Sequence, residues 1–100
     1  MILYNVTVNI EKAYEQEWLD WMKTEHIPEV LATGLPIENR LLRLLTEVEN
    51  GGTTYTSQYT FRSMDEYITY QQQYAPALQA KFAERYKDKS VTFRSLLEVV

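Results

Sequence analysis

No cysteine occurs in the 100 residues, which removes disulfides, thiolate nucleophiles, iron–sulfur ligation and the usual structural zinc sites together. Histidine is nearly as scarce. His26 stands alone, so a transition-metal centre would need mainly carboxylate ligands, and no metal or cofactor is expected. Positive charge is in deficit as well, with 10 Lys and Arg against 14 Asp and Glu and a formal charge of −4. Nonspecific nucleic-acid binding relies on basic side chains that release counterions from phosphates, so no nucleic-acid partner is expected. Arg85, Lys87 and Lys89 cluster, but Glu84 and Asp88 interleave with them, as on a solvated helix end. No apolar run approaches the roughly 20 residues that span a bilayer. The apolar start Met1-Ile2-Leu3-Tyr4 lacks a basic leader and is interrupted by Asn5, Thr7 and Asn9. No membrane association or signal peptide is therefore expected, and the cytoplasm is the expected compartment. A phosphate-binding glycine loop is missing too.

What is present describes a folded domain. An apolar fraction of 45% and an aromatic fraction of 13% argue against disorder. Residues 1–100 read as a single domain without linker or repeat, small enough that pairing with a second copy would help to bury surface. Ile2, Tyr4, Val6, Val8 and Ile10 alternate with Leu3, Asn5, Thr7 and Asn9, which predicts a first strand with one buried face. From about Glu11 the spacing changes to helical steps through Tyr14, Trp18, Trp21 and Met22. Pro28 lacks an amide hydrogen and clashes with the carbonyl four residues back, so this helix is expected to kink or restart near Ile27-Pro28. Gly34 fits a left-handed helix terminus, with Leu35 as its apolar contact and Pro36 as the stop.

Two strands follow, about Glu38–Val48 and Thr53–Arg62, with Asn50-Gly51 as a type I′ hairpin signal. With Glu49 facing Gly52, Arg43 would lie opposite Gln58, Leu45 opposite Thr56 and Leu41 opposite Thr60. In the same register Leu42 would meet Tyr59, Arg40 would meet Phe61 and Thr46 would meet Tyr55. The aromatic face is assigned to the helices, leaving Arg43, Gln58, Thr56 and Thr60 on the other side. Ser63-Met64-Asp65-Glu66 reads as a capping box. It opens a second helix with Met64, Tyr67, Ile68, Gln71, Tyr74, Leu78 and Phe82 as its buried stripe and a break at Pro76. Val91, Phe93, Leu97 and Val99 then alternate with Thr92, Arg94, Leu96 and Glu98 in a last strand.

The order strand, helix, strand, strand, helix, strand predicts an α+β, ferredoxin-like βαββαβ sandwich: an antiparallel four-stranded sheet with two helices on one face. On its other face Leu3, Leu41, Leu45 and Leu96 would share space with Asn5, Thr7, Arg43, Gln58 and Arg94. A second copy of the chain is the expected cover, in a homodimer. An RNA-recognition domain shares the strand order, but it displays aromatics and basic residues on the open sheet face. Here Tyr55, Tyr59 and Phe61 are assigned to the helices, and no Arg/Lys-Gly-aromatic motif precedes them.

Several motifs together resemble a known family: Trp-x-x-Trp-Met-x-x-x-His-Ile-Pro, Thr33-Gly34, Thr54-Tyr55 through Gln58-Tyr59-Thr60-Phe61, Ala75-Pro76-x-Leu78-Gln79 and Phe93-Arg94-Ser95-Leu96-Leu97-Glu98-Val99-Val100. The chain is similar over nearly its whole length to the small bacterial domain-of-unknown-function 4286 family. The His-x-Pro after an aromatic first helix is also similar to the dimeric α+β barrel superfamily. That superfamily includes antibiotic-biosynthesis-type monooxygenases, ethyl-tert-butyl-ether-degradation-like proteins and haem-degrading enzymes. The resemblance implies two sheets facing each other in a homodimeric barrel, a fold whose chemistry varies too widely to name a reaction. The leading reading is a homodimeric barrel that binds a small organic molecule, with cofactor-independent monooxygenase- or isomerase-like activity left open. The alternative is a noncatalytic dimeric interaction or regulatory module. Haem-degrading barrels pair a strand-one asparagine with a tryptophan and a second-helix histidine. Asn5 matches the first, but no histidine occurs in the second helix, which speaks against haem degradation.

The candidate ligand-binding residues are Asn5, His26, Arg43, Gln58 and Arg94; no catalytic residue is assigned. His26 has the side chain suited to proton transfer near neutrality, although a histidine beside a helix break more commonly caps or packs. Trp18, Trp21 and Met22 could line an aromatic pocket, but their helical spacing favours core packing. Asn5, Arg43, Gln58 and Arg94 are expected to share the sheet face away from the helices, where two guanidiniums and two amides could hold an anionic group. Salt bridges with Glu47 and Glu98, within the chain or across a dimer, are the competing explanation.

Overall fold

The computed structural model describes residues 1–46 and 51–100. Four strands form one antiparallel sheet: β1 Ile2–Glu11, β2 Pro36–Arg43, β3 Gly52–Phe61 and β4 Ser90–Glu98, in the spatial order β2-β3-β1-β4. The helices are α1 Glu15–Trp21, α2 Ile27–Ala32, α3 Met64–Gln73 and α4 Ala75–Tyr86. They pack on one sheet face, so the expected ferredoxin-like sandwich is the observed architecture. The expected single helices are each present as two segments. Between α3 and α4, Tyr74 breaks the run ahead of Pro76, as the proline requires. Ser63 Oγ accepts from the Glu66 amide at 3.2 Å, and the Glu66 carboxylate lies 3.9 Å from Arg62.

Between α1 and α2 the helix continues through Pro28. Residues Met22–His26 form a π-helical turn in which the Ile27 amide donates to the Met22 carbonyl five residues back. Widening the turn by one residue accommodates the proline where an α-helical ladder would lose a bond and meet a clash. It also shifts the helix phase. Trp18, Trp21 and Met22 are buried before it, and Ile27 and Val30 after it. Gly34 ends the helix at φ 78°, with its amide 3.0 Å from the Leu31 carbonyl.

An aromatic layer joins helices to sheet. Trp18 packs on Tyr55 at 5.1 Å between ring centroids, Tyr67 on Tyr4 at 5.2 Å and Tyr70 on Phe61 at 5.5 Å. Tyr55, Tyr59 and Phe61 thus face the helices as expected, and Gln58, Thr56 and Thr60 face away. Tyr86 is fully buried and donates to Glu17 Oε2 at 3.1 Å.

Two strand assignments are corrected. Asn50 lies outside the described residues, so the hairpin turn is not described, but the observed pairs are Arg43 with Tyr55, Leu42 with Thr56, Leu41 with Ser57 and Arg40 with Gln58. This register differs by three from a two-residue hairpin. An odd offset exchanges the faces of β2: Arg43 and Leu41 lie on the helix side, whereas Arg40 and Leu42 lie on the open side. Leu41 packs partly buried against the core. In β4, Arg94 stands beside Val6 and Leu96 beside Tyr4, on the helix side, while Phe93 pairs with Thr7 and Leu97 with Leu3 on the open face. Both faces of β4 carry apolar residues, so alternation alone could not choose between them. The open face therefore has polar central strands, with Asn5, Thr7, Asn9, Thr54, Thr56 and Gln58. Its edges carry Leu42, Leu44, Val91, Phe93 and Leu97, all exposed.

Candidate functional site

A cavity lies between the helix side of the sheet and the α2–α4 layer, with about 30 Å³ accessible to water-sized occupants, room for roughly two waters. Every layer of the fold contributes to its wall. β1 supplies Tyr4, Val6 and Val8; β3 supplies Ser57 and Tyr59; β4 supplies Thr92 and Arg94. From the helical side come Met22, His26, Val30, Tyr70, Leu78, Gln79 and Phe82. The wall is apolar except for a handful of groups that can donate hydrogen bonds. It includes one cation, Arg94, and no carboxylate.

His26 sits at the end of the π turn, stacked on Trp21 at 4.8 Å and 21° and tilted against Phe82 at 6.0 Å. Burial between these rings pushes its pKa down to about 4; Glu29 opposes that fall and Lys81 adds to it. Those two charges neutralise one another in an ion pair of 2.8 Å. At neutral pH the imidazole is therefore uncharged, with one donor and one acceptor nitrogen. Tyr59 is 2% exposed and its hydroxyl has no hydrogen-bond partner. Burial raises its pKa to about 12, tempered by the nearby Ser57 hydroxyl, which stands outside hydrogen-bonding geometry to it and whose Oγ already accepts from Asn39 Nδ2 at 2.9 Å. The Tyr70 hydroxyl is also raised by burial. Both phenols consequently remain protonated donors.

The five residues singled out from sequence fall in three places. His26 and Arg94 both line the cavity, Arg94 from an exposed position, although it was expected on the opposite sheet face. Asn5 and Gln58 pair across β1 and β3 on the open face, as expected. There Gln58 Oε1 accepts from Arg40 Nη2 at 2.9 Å, and Asn5 Oδ1 is buried without a partner. Arg43 is apart from both groups, its guanidinium 5.5 Å from the centre of the Tyr55 ring. It lies beside Glu15, whose carboxylate accepts from Tyr55 at 2.5 Å and Thr53 at 3.1 Å; the Tyr55 bond, above all, holds the Glu15 pKa below its ordinary value. This is a structural clamp between α1 and β3. The expected quartet on one face is thus reduced to the pair Asn5 and Gln58, with Arg43 and Arg94 on the helix side in separate places. Glu47 lies outside the described residues, and Glu98 has helix-side parity.

Sequence reasoning missed Tyr59, Tyr70 and Gln79 as site residues. Tyr59 was assigned to the correct face, but nothing in a strand pattern shows that its hydroxyl lacks a partner. Trp18 is core, as its spacing favoured, and Met22 lines the cavity. Among the described residues no cluster of three or more His, Asp or Glu could hold a metal, and no helix is long and apolar enough to cross a membrane.

No curated protein matches the sequence. Among solved structures, HapK from Hahella chejuensis is similar with a TM-score of 0.73 at 7% identity, covering 100% of this chain and 93% of that one. A putative antibiotic biosynthesis monooxygenase from Deinococcus radiodurans gives a TM-score of 0.68 at 10% identity, with 100% and 93% covered. A dimeric ferredoxin-like protein from an uncultured marine organism gives 0.61 at 11% identity, with 99% and 94% covered. At these identities the likeness is one of fold alone, the ferredoxin-like α+β fold. The family model for Domain of unknown function (DUF4286) matches residues 1–100, and the chain belongs to that family.

Proposed function

We propose that this protein binds a small organic molecule in the cavity holding His26 and Arg94, and that it does so as a homodimer assembled through the open sheet face. The observation that carries the binding site is the Tyr59 hydroxyl, buried and unpartnered in the cavity wall. A buried donor left without a partner costs about 1–3 kcal/mol, a cost that an occupant with an acceptor atom would remove. The apolar wall with a few polar groups is the usual make-up of a small-molecule site. Binding is better supported than proton transfer. A base with a pKa near 4 accepts protons poorly at neutral pH, whereas general bases work best when their pKa lies near the operating pH.

Dimerisation is supported by the exposed edge residues of the open face, among them Phe93 at 62% and Val91 at 70% exposure. The noncatalytic alternative shares this interface and differs only in leaving the cavity empty. Methyl-labelled methionine provides the test, because Met22 lines the cavity whereas Met1 and Met64 are exposed. Screening of small organic fragments by methyl NMR should yield compounds that shift Met22 saturably and leave the other two unmoved. A library that moves only Met1 and Met64, or none of the three, would refute the binding site.

A further inference from the structure

The donors and charge of the cavity wall specify more than a generic small molecule. Arg94 brings five N–H donors and forms no ion pair or hydrogen bond among the described residues. Gln79, Tyr70 and Tyr59 add donor groups, and the Tyr59 hydroxyl is unpartnered in the monomer. The chain carries 14 Asp and Glu, yet none lines this space. A lining with one guanidinium, several neutral donors and no carboxylate is electrostatically matched to an anion and mismatched to a cation. The free space is small, about 30 Å³, so the smallest organic anions suit it better than an aromatic ring. Val6, Val8, Met22 and Leu78 leave the remaining wall suited to methyl or methylene groups.

We propose that the occupant is a compact organic carboxylate no larger than propionate, its charge met by Arg94 and its oxygens accepting from the donors around Tyr59. The proposal rests on the binding-site reading above and narrows it to a substrate class. Bidentate geometry is available to a guanidinium facing a carboxylate, and a charge-assisted bond is about twice as strong as a neutral one. The neutral amide of the same shape offers one oxygen acceptor and brings donors of its own into a wall already rich in them.

The test is a methyl NMR titration of the intact protein at fixed ionic strength, comparing acetate and propionate with acetamide and propionamide. The carboxylates should shift Met22 saturably with a Kd at least tenfold below that of the amides. Arg94→Met should erase that preference, whereas Arg62→Met, at an exposed arginine outside the cavity lining, should leave it intact. Hexanoate and benzoate should bind more weakly at Met22 than propionate. Equal binding of amide and carboxylate would overturn the anion assignment while leaving a binding site in place. Retention of the preference in Arg94→Met, despite a native amide spectrum, would overturn the role of Arg94. Tighter binding of benzoate than propionate would overturn the size limit. If the short acids leave Met22 unmoved while other fragments shift it, the carboxylate class is wrong and the site stands; if nothing shifts it, both fall.

Discussion

At the scale of single residues, two buried groups have consequences that can be measured without a ligand. The Tyr59 hydroxyl has no partner, so Tyr59→Phe removes a desolvated donor and leaves the ring packing unchanged. Chemical denaturation should show equal or greater stability, by up to about 1–2 kcal/mol. A loss larger than about 1 kcal/mol would mean that the hydroxyl is bonded in solution. His26 is held neutral with a pKa of about 4 against an ordinary value of 6.5. The unfolded chain then binds its proton at higher pH than the folded protein does. The resulting stability is fully present above pH 6.5 and falls as the pH drops from there toward 4, by at most about 1.4 kcal/mol per pH unit. His26→Gln should flatten that slope. The lowered Glu15 carboxyl has the same sign, but its contribution is lost only below its ordinary value of 4.5. Because the chain has one histidine, NMR titration reads the imidazole pKa directly, and a value near 6.5 would contradict its burial.

At the scale of elements, the π turn is what places His26 against Trp21. Pro28→Ala would restore the amide hydrogen that the α-helical ladder lacks and allow the helix to tighten. The expected result is movement of the imidazole off Trp21 and a rise of its pKa toward 6.5; an unchanged pKa would show that packing, not the proline, sets the wider turn. At the C-terminal end of α2, Gly34 has φ 78° with open space around the position of a Cβ. Gly34→Ala should therefore cost only the left-handed backbone penalty, about 1–2 kcal/mol in urea unfolding. Both features were partly legible in the sequence. Pro28 and Gly34 announced a disturbance and a terminus. The type of turn was not legible, since a proline is equally compatible with a stop, a kink or a widened turn. Strand order and the aromatic face were legible because β1 and β3 alternate cleanly. Edge strands were not, because Leu41, Leu42, Phe93 and Leu96 put apolar side chains on both faces, and the register of β2 depends on the length of its connection to β3. Arg43 and Arg94 were consequently assigned to the open face, while the cavity that gathers His26, Tyr59 and Arg94 exists only once both helices have been docked.

At the scale of the whole molecule, the open face decides whether the chain stays alone. Full burial of a large apolar side chain is worth about 1.5–3 kcal/mol, and Leu42, Leu44, Val91, Phe93 and Leu97 all stand exposed there. Sedimentation at micromolar concentration should find a dimer. Phe93→Asp should weaken it by about 2 kcal/mol or more, about 30-fold in Kd, without altering the fold. A monomeric wild type would refute the assembly, though not the cavity, whose lining comes from one chain. The distribution of those leucines and aromatics matters as much as their number. They flank central strands whose open-side groups are amides and hydroxyls, with Thr7 bonded to Thr56 at 3.0 Å and Asn9 Nδ2 to Thr54 at 2.9 Å. Two such faces brought together would close along greasy seams around a wet middle, trapping water against Asn5 and Gln58. Dissociation should then expose less apolar surface than the contact area suggests, and its heat-capacity change per unit area should fall below that of unfolding.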